Sequence, residues 1–190
     1  MRKIAILASG GGTLAEAIFR AVDKKELACT IQAIICDRPD AHVVERALKY
    51  HIPIYLHPMK QDRQLWNREL LQYLQTLDLD LVVSAGFMRI LDSSVTSSLP
   101  IINSHPALLP LFPGAHAVRD ALAAGATKTG TTIHWVDAGV DTGEIIAQAE
   151  LDIAPDDNEE SLHERIKILE RSLIVATIEQ LLLTMENGKS

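Results

Sequence analysis

Arg2-Lys-Ile-Ala-Ile-Leu-Ala8, then Ser9-Gly-Gly-Gly12, then Thr13-Leu-Ala-Glu-Ala-Ile-Phe-Arg-Ala-Val22 follow one another at the start of the chain. Lys3 to Ala8 is apolar enough for a buried strand, and the run from about Leu14 to Val22 has the spacing of an apolar helix. Thr13, followed three residues on by Glu16, predicts a capping box that starts this helix. The glycines between them let the backbone turn tightly and come close to a ligand. The helix behind offers free N–H groups and a positive dipole end, so the turn suits a phosphate. A strand-to-helix turn also needs glycines for its own geometry. The dinucleotide pattern G-x-G-x-x-G is incomplete: Gly10 and Gly12 are in place, but Ala15 stands at the third position, and no acidic residue ends the second strand before Asp37.

The same alternation continues outward. Thr30 to Cys36 reads as a second strand closed by Asp37, Arg38 and Pro39, and Ala41 to Tyr50 as a helix. Ile52 to Leu56 is a third strand, and Gln61 to Leu77 a long amphipathic helix with Leu65, Leu70, Leu71 and Leu74 on its apolar side. Leu81 to Ala85 and Ile101 to Ser104 are the fourth and fifth strands. Strands alternating with helices predict an α/β fold of Rossmann-like type, a mostly parallel sheet with helices on both faces. Thr131 to Val136 and Glu144 to Leu151 are then two β-rich runs joined by Asp137-Ala-Gly-Val-Asp-Thr-Gly143, a hairpin-like return that makes the C-terminal part antiparallel. A last helix is expected from about Glu159 to Met185, announced by Asp156, Asp157 and Asn158 and by the box Ser161…Glu164. No repeat or linker divides the chain, so one domain over residues 1–190 is expected.

Composition narrows the class. Hydrophobic residues make up 47% and charged residues 23%, an ordinary balance for a globular protein. The net charge of -7 argues against a basic nucleic-acid-binding surface. No stretch approaches the ~20 apolar residues of a membrane span, and the apolar run Ile4 to Ala8 is too short for a secretory signal. A cytoplasmic enzyme is the expected class. Cys29 and Cys36 fall in one strand, seven apart; an odd separation places them on opposite faces, as small buried hydrophobes with no disulfide between them.

The chemistry concentrates in Ile101-Ile-Asn-Ser-His-Pro-Ala-Leu-Leu-Pro-Leu-Phe-Pro-Gly114. Asn103 and His105 lie two apart at the C-terminal end of a strand, so they share a face. In open α/β sheets ligands bind at the carboxyl ends of strands. An amide donor beside an imidazole can stabilise a developing oxyanion and handle a proton, the two demands of acyl transfer. The prolines that follow stiffen the segment. Asp141 sits in an Asp- and Gly-rich turn, where aspartate is ordinarily a turn former, and spacing alone does not bring it to His105. Were it close, its charge would favour the imidazolium.

Asn103-x-His-Pro-x-Leu-Leu-Pro110 with Phe112-Pro-Gly114, then Gly130-Thr-Thr-Ile-His-Trp-Val-Asp137 and Val140-Asp-Thr-Gly143, resembles the folate-dependent formyltransferases over nearly the whole chain, most closely those that act on glycinamide ribonucleotide. The resemblance implies that Asn103, His105 and Asp141 are the catalytic set. The amine of glycinamide ribonucleotide would attack the formyl group of the co-substrate 10-formyltetrahydrofolate. Asn103 and a protonated His105 would stabilise the tetrahedral oxyanion, and Asp141 would hold His105. The resemblance also implies a folate pocket lined by Met88, Arg89, Ile90 and Leu91 after Phe87, by Asn103, and by the turn Val136, Asp137, Ala138, Gly139 and Val140, largely through backbone groups. Arg63 matches an arginine near the folate. Gly11, Gly12, Thr13 and Leu14 match the phosphate loop, and Glu170 a glutamate that holds the ribose. A cis peptide at Leu109-Pro110 is implied too. Many members have Ser-Gly-x-Gly-Ser-Asn at the phosphate loop, whereas this chain has Ser9-Gly-Gly-Gly-Thr-Leu14; Leu14 offers only its backbone N–H.

Related enzymes share the motifs. The formyltetrahydrofolate hydrolases add an N-terminal domain, for which a first strand at Lys3 leaves no room. The enzymes that formylate methionyl-tRNA carry an extra C-terminal domain and need a basic surface, and sugar-amine formyltransferases share the set as well. A non-catalytic nucleotide-binding module is the reading from another class. His42, His51, His57, His116, His134 and His163 show no metal-ligand spacing, so no metal is expected. His134 alternates with apolar neighbours and reads as structural, and Trp66 and Trp135 as core or rim packing. The partners expected are small molecules, with neither nucleic acid nor membrane; a homodimer is left open.

Overall fold

In the computed structural model, which describes residues 1–187, a single seven-stranded sheet organises the chain. Its strands are β1 (Arg2–Ala8), β2 (Cys29–Cys36), β3 (Ile54–Leu56), β4 (Leu81–Ser84), β5 (Ile101–His105), β6 (Lys128–Trp135) and β7 (Ile145–Asp152), in the order β3-β2-β1-β4-β5-β6-β7. The first five are parallel; β6 and β7 run antiparallel to their neighbours. The helices are α1 (Thr13–Asp23), α2 (His42–Lys49), α3 (Arg63–Thr76), α4 (Ser93–Thr96), α5 (Ala117–Ala123) and α6 (Glu159–Asn187). This is the expected Rossmann-like α/β architecture. The short helices α4 and α5 carry too few residues for a periodic signal and were not anticipated. Residues 188–190 of the expected domain lie outside the described residues.

Two apolar layers hold the sheet. On one face Ile4, Ile6, Ile34 and Val83 pack with Ile18 and Phe19 of α1 and with Ile174 and Ile178 of α6. On the other, Ala5, Leu7, Ile35 and Val82 pack with Trp66, Leu70 and Leu74 of α3. The strands are buried on both sides, as parallel strands under helices must be. In α3 the buried face centres on Trp66, Leu70 and Leu74, with Leu65 and Leu71 half-buried. No helix is long and apolar enough to cross a membrane among the described residues.

Three local expectations are corrected. Cys29 and Cys36 pack into the same layer rather than opposite ones, because β2 carries a bulge: Ile4 pairs with Ile31 but Ala5 with Ala33, so Gln32 is an extra residue that shifts the alternation by one. Both thiols are free and buried, and burial pushes Cys29 up to about 11. Thr13 does not cap α1. Gly12 holds that position at φ 73°, Thr13 is the first helical residue, and Glu16 pairs instead with Arg46 of α2. At α6 the reciprocal cap lies three residues before the expected box: Asn158 Oδ1 accepts from Ser161 N at 3.0 Å while Ser161 Oγ accepts from Asn158 N at 3.0 Å.

Behind β5, Glu170 of α6 is 8% exposed and accepts a hydrogen bond from Ser104 Oγ at 2.8 Å. Burial pushes this carboxyl up; the Ser104 bond and the positive Lys167 and Arg171 oppose the rise without cancelling it. The folded state therefore holds its proton more tightly than the unfolded chain. That contribution to stability is complete below about pH 4.5, the ordinary value, and is lost as pH rises through the folded-state value. Glu170→Gln should accordingly gain thermal stability relative to the parent as pH rises above the ordinary carboxylate value, read as Tm by calorimetry; a parallel pH dependence of the two would count against a buried, proton-holding carboxyl. Gly12→Ala should cost about 2 kcal/mol or more. The new Cβ would meet Val43 Cγ2 at 2.3 Å and Val43 Cα at 2.8 Å, in a left-handed backbone conformation, and a urea midpoint at unchanged slope checks it.

Candidate active site

β5 delivers Asn103 and His105 to the same side of the sheet, and the alternation sends Ser104 to the other, where it meets Glu170. His105 is 4% exposed. Its Nε2 lies 2.8 Å from the Phe112 carbonyl oxygen and its Nδ1 lies 3.3 Å from Asp141 Oδ2. A carbonyl can only accept, so Nε2 donates to Phe112; the carboxylate offers the second ring nitrogen an acceptor as well. The ring thus has a place for a proton on both nitrogens. The Leu109-Pro110 peptide in the loop between His105 and Phe112 is cis.

Asp141 reaches His105 because the loop after β6 folds back on itself. Asp137 Oδ1 accepts from Gly139 N at 2.9 Å and from Thr142 Oγ1 at 2.7 Å, which closes the turn. Asp141 itself stands at φ 54° and accepts from Gly114 N at 2.8 Å. Burial works to raise its carboxyl. Hydrogen bonds from His134 and Gly114, with the nearby charge of His105, outweigh that and hold it below the usual carboxylate range. The group is therefore an anion in the neutral range.

His134, which its strand pattern marks as structural, belongs to this cluster. It pairs with Asn103 across the antiparallel β5–β6 ladder. Its Nδ1 lies 2.9 Å from the Trp135 carbonyl oxygen, and its Nε2 stands 3.3 Å from Asn103 Nδ2 and 3.5 Å from Asp141 Oδ1. With Nδ1–H donating to the carbonyl, the state of Nε2 decides whether it accepts from Asn103 or donates to Asp141. In the first state it is tied to Asn103, in the second to Asp141.

These groups open onto a cavity of about 500 Å³, within the range of small-molecule sites. Asn103, His105 and Asp141 all line it, and so do Met88, Arg89, Ile90 and Leu91 from the loop after β4. Val136, Asp137, Gly139 and Val140 form the opposing wall, while Ala138 does not reach it. Met88 and Ile90 are strongly exposed at the rim and make its entrance apolar. Arg63 lies outside the lining. It braces the wall instead: Nη2 donates to the Ile90 carbonyl at 2.6 Å, and the guanidinium sits 5.3 Å from the Trp66 ring centre. Trp66 is wholly buried and stacks on His57; Trp135 packs half-buried against the core.

The glycine turn and Glu170 are not in this cavity. Gly10 and Gly11 give their carbonyls to Val43 N and Arg46 Nε, tying the turn to α2. Thr13 lines a separate cavity of about 380 Å³ with Arg20 and Arg171, and Leu14 packs half-buried against the α1–α6 layer. Glycine turn and Glu170 therefore share the α1–α6 side of the sheet, whereas Asn103 and His105 project from the other. A ligand touching both sets must cross the carboxyl edge of the strands. His116 and His163, weighed in the sequence only as metal ligands, also line the main cavity, and burial pushes His163 down. Among the described residues no three His, Cys, Asp or Glu side chains gather as a cation site.

A family description, Formyl transferase, matches residues 2–178. The chain is 37% identical over 186 residues to the phosphoribosylglycinamide formyltransferase of Bacillus subtilis, covering 96% of this chain and 95% of that protein. It is 41% identical over 183 residues to the enzyme of that name from Mycobacterium tuberculosis, covering 93% and 83%. The crystal structure of phosphoribosylglycinamide formyltransferase from Bacillus halodurans superposes with a TM-score of 0.91 at 39% identity, covering 95% of each chain. With the family match, the sequence identity and the fold in agreement over nearly its whole length, the chain belongs to the formyl transferase family and is a formyltransferase.

Proposed function

We propose that this enzyme moves the formyl group of 10-formyltetrahydrofolate to the amine of glycinamide ribonucleotide, a step of de novo purine biosynthesis. The observation that carries the reading is His105 held between the Asp141 carboxylate and the Phe112 carbonyl, two residues along the strand from Asn103. In it, the acceptor amine attacks the formyl carbon, and the negative charge that gathers on the formyl oxygen is met by the Asn103 amide and the His105 imidazolium. His105 gives a proton to N10 of the folate as the C–N10 bond breaks, and the proton shed by the attacking amine returns to His105, so that the formyl amide and tetrahydrofolate leave with the imidazole restored. Asp141 keeps the imidazole oriented and favours its protonated form.

The rest of the cavity suits the two substrates. Its apolar entrance at Met88, Ile90 and Val140 fits a flat heterocycle, and the backbone of 88–91 and 136–140 offers donors and acceptors for a pterin. Arg63, braced on Ile90, would face the acidic tail of the folate. Gly11, Gly12, Thr13 and Leu14 would take the acceptor's phosphate on backbone N–H groups, and Glu170 the ribose hydroxyls, with the acceptor laid over the carboxyl edge of the sheet.

A coupled assay of formyl transfer with purified protein and candidate amines tests this. Turnover is expected with glycinamide ribonucleotide; tetrahydrofolate released at the same rate without any amine would make the enzyme a hydrolase instead. Asp141→Asn should lower kcat by roughly a hundredfold or more while the affinity for a folate analogue changes by less than about threefold. A comparable loss of folate affinity, read by fluorescence titration, would reduce Asp141 to a turn residue.

A further inference from the structure

Asp37 ends β2 with a side chain wholly shielded from solvent, and only one of its oxygens is satisfied. Oδ2 accepts from Arg89 Nε at 2.5 Å; Oδ1 has no hydrogen-bond partner. A buried carboxylate held by one cation is strongly destabilised if that cation leaves, so the pair is locked. Its position is unusual. Asp37 follows β2 and Arg89 lies in the loop after β4, while β1 runs between those two strands. The ion pair therefore spans the end of β1, where the glycine turn begins. The same loop is fastened to that turn a second time, for Met88 N donates to Ser9 Oγ at 2.9 Å and Ser9 N to the Gly86 carbonyl at 3.2 Å. Arg89 is still a third exposed, and among the described residues its two terminal nitrogens have no protein acceptor.

We propose that Asp37 is a positioning residue that anchors the Arg89 guanidinium across the mouth of the glycine turn, where its free N–H groups receive the phosphate of the acceptor. This rests on the acceptor being a phosphorylated amine. Leu14 supplies no side-chain hydrogen bond there, and a guanidinium fixed through Nε presents a planar pair of donors matched to phosphate oxygens. The backbone of residue 89 stays available to the folate wall; only the side chain turns to the acceptor.

Asp37→Asn and Arg89→Ala each test it. Both should raise KM for glycinamide ribonucleotide about tenfold or more, and Asp37→Asn, which lies outside the folate wall, should leave kcat and the KM for formyl folate within about twofold. On the phosphate-free amine, glycinamide riboside, parent and Asp37→Asn should perform alike, and on glycinamide ribonucleotide the double variant should lose no more than Arg89→Ala alone. Inorganic phosphate gives a readout independent of turnover: it should raise the Tm of the parent and not that of Asp37→Asn. If the parent transfers no formyl group but this phosphate effect is present and lost in the variant, the anion site stands and the acceptor assignment falls. A rise in the KM for formyl folate instead, equal losses on the phosphate-free amine, or an undiminished phosphate effect in Asp37→Asn would overturn the proposal.

Discussion

The antiparallel pairing of β6 against β5 is the constraint on which the site depends. Five parallel strands alone would leave Asn103 and His105 at an open strand end, facing water. Reversing β6 sets His134 directly opposite Asn103 and sends the chain out at Val136 into a loop that must double back to begin β7. Asp141 is carried to His105 by that return. Its hydrogen bond from Gly114 then joins the loop after β6 to the loop after β5, so the two walls close around one carboxylate. Removing water from such a cluster makes each of its charges count for more than it would at the surface.

Much of this was legible in the residues because the pattern is local. Lys3 to Ala8, Thr30 to Cys36 and the strands after them announce a parallel sheet by continuous apolar runs, and the side shared by Asn103 and His105 follows from a period of two. What escaped notice depends on long-range register. His134 alternates with Thr132 and Ile133 in an ordinary-looking strand, and only its pairing partner reveals its part in the site. Thr13 with Glu16 satisfies a capping pattern, yet the Arg46 guanidinium draws Glu16 away and Gly12 takes the cap. Asp141 was placed by resemblance alone, since nothing in its own turn points 36 residues back to His105.

The carboxyl edge of the sheet works as a divide. On one side a largely apolar cavity gathers Asn103, His105, His134 and Asp141; on the other lie the glycine turn, Leu14 packed into the core, and Glu170 behind Ser104. Ser104 and His105 are adjacent in sequence but serve opposite sides. Thr131 joins them, donating to the His105 carbonyl at 3.2 Å and lying 3.4 Å from Ser104 Oγ, so a displacement on either side is felt on the other through one strand.

The bulge at Gln32 sets the phase of everything that follows it in β2. Without that one additional residue, the alternation would put Ile34 and Cys36 into the layer that now holds Ile35, and the exit of the strand would turn over with them. Asp37 leaves β2 one step beyond Cys36. A single irregularity near the start of a strand thus aims an acidic side chain at its far end, and strand length counted in residues is as much a part of the site's chemistry as the side chains that touch the ligand.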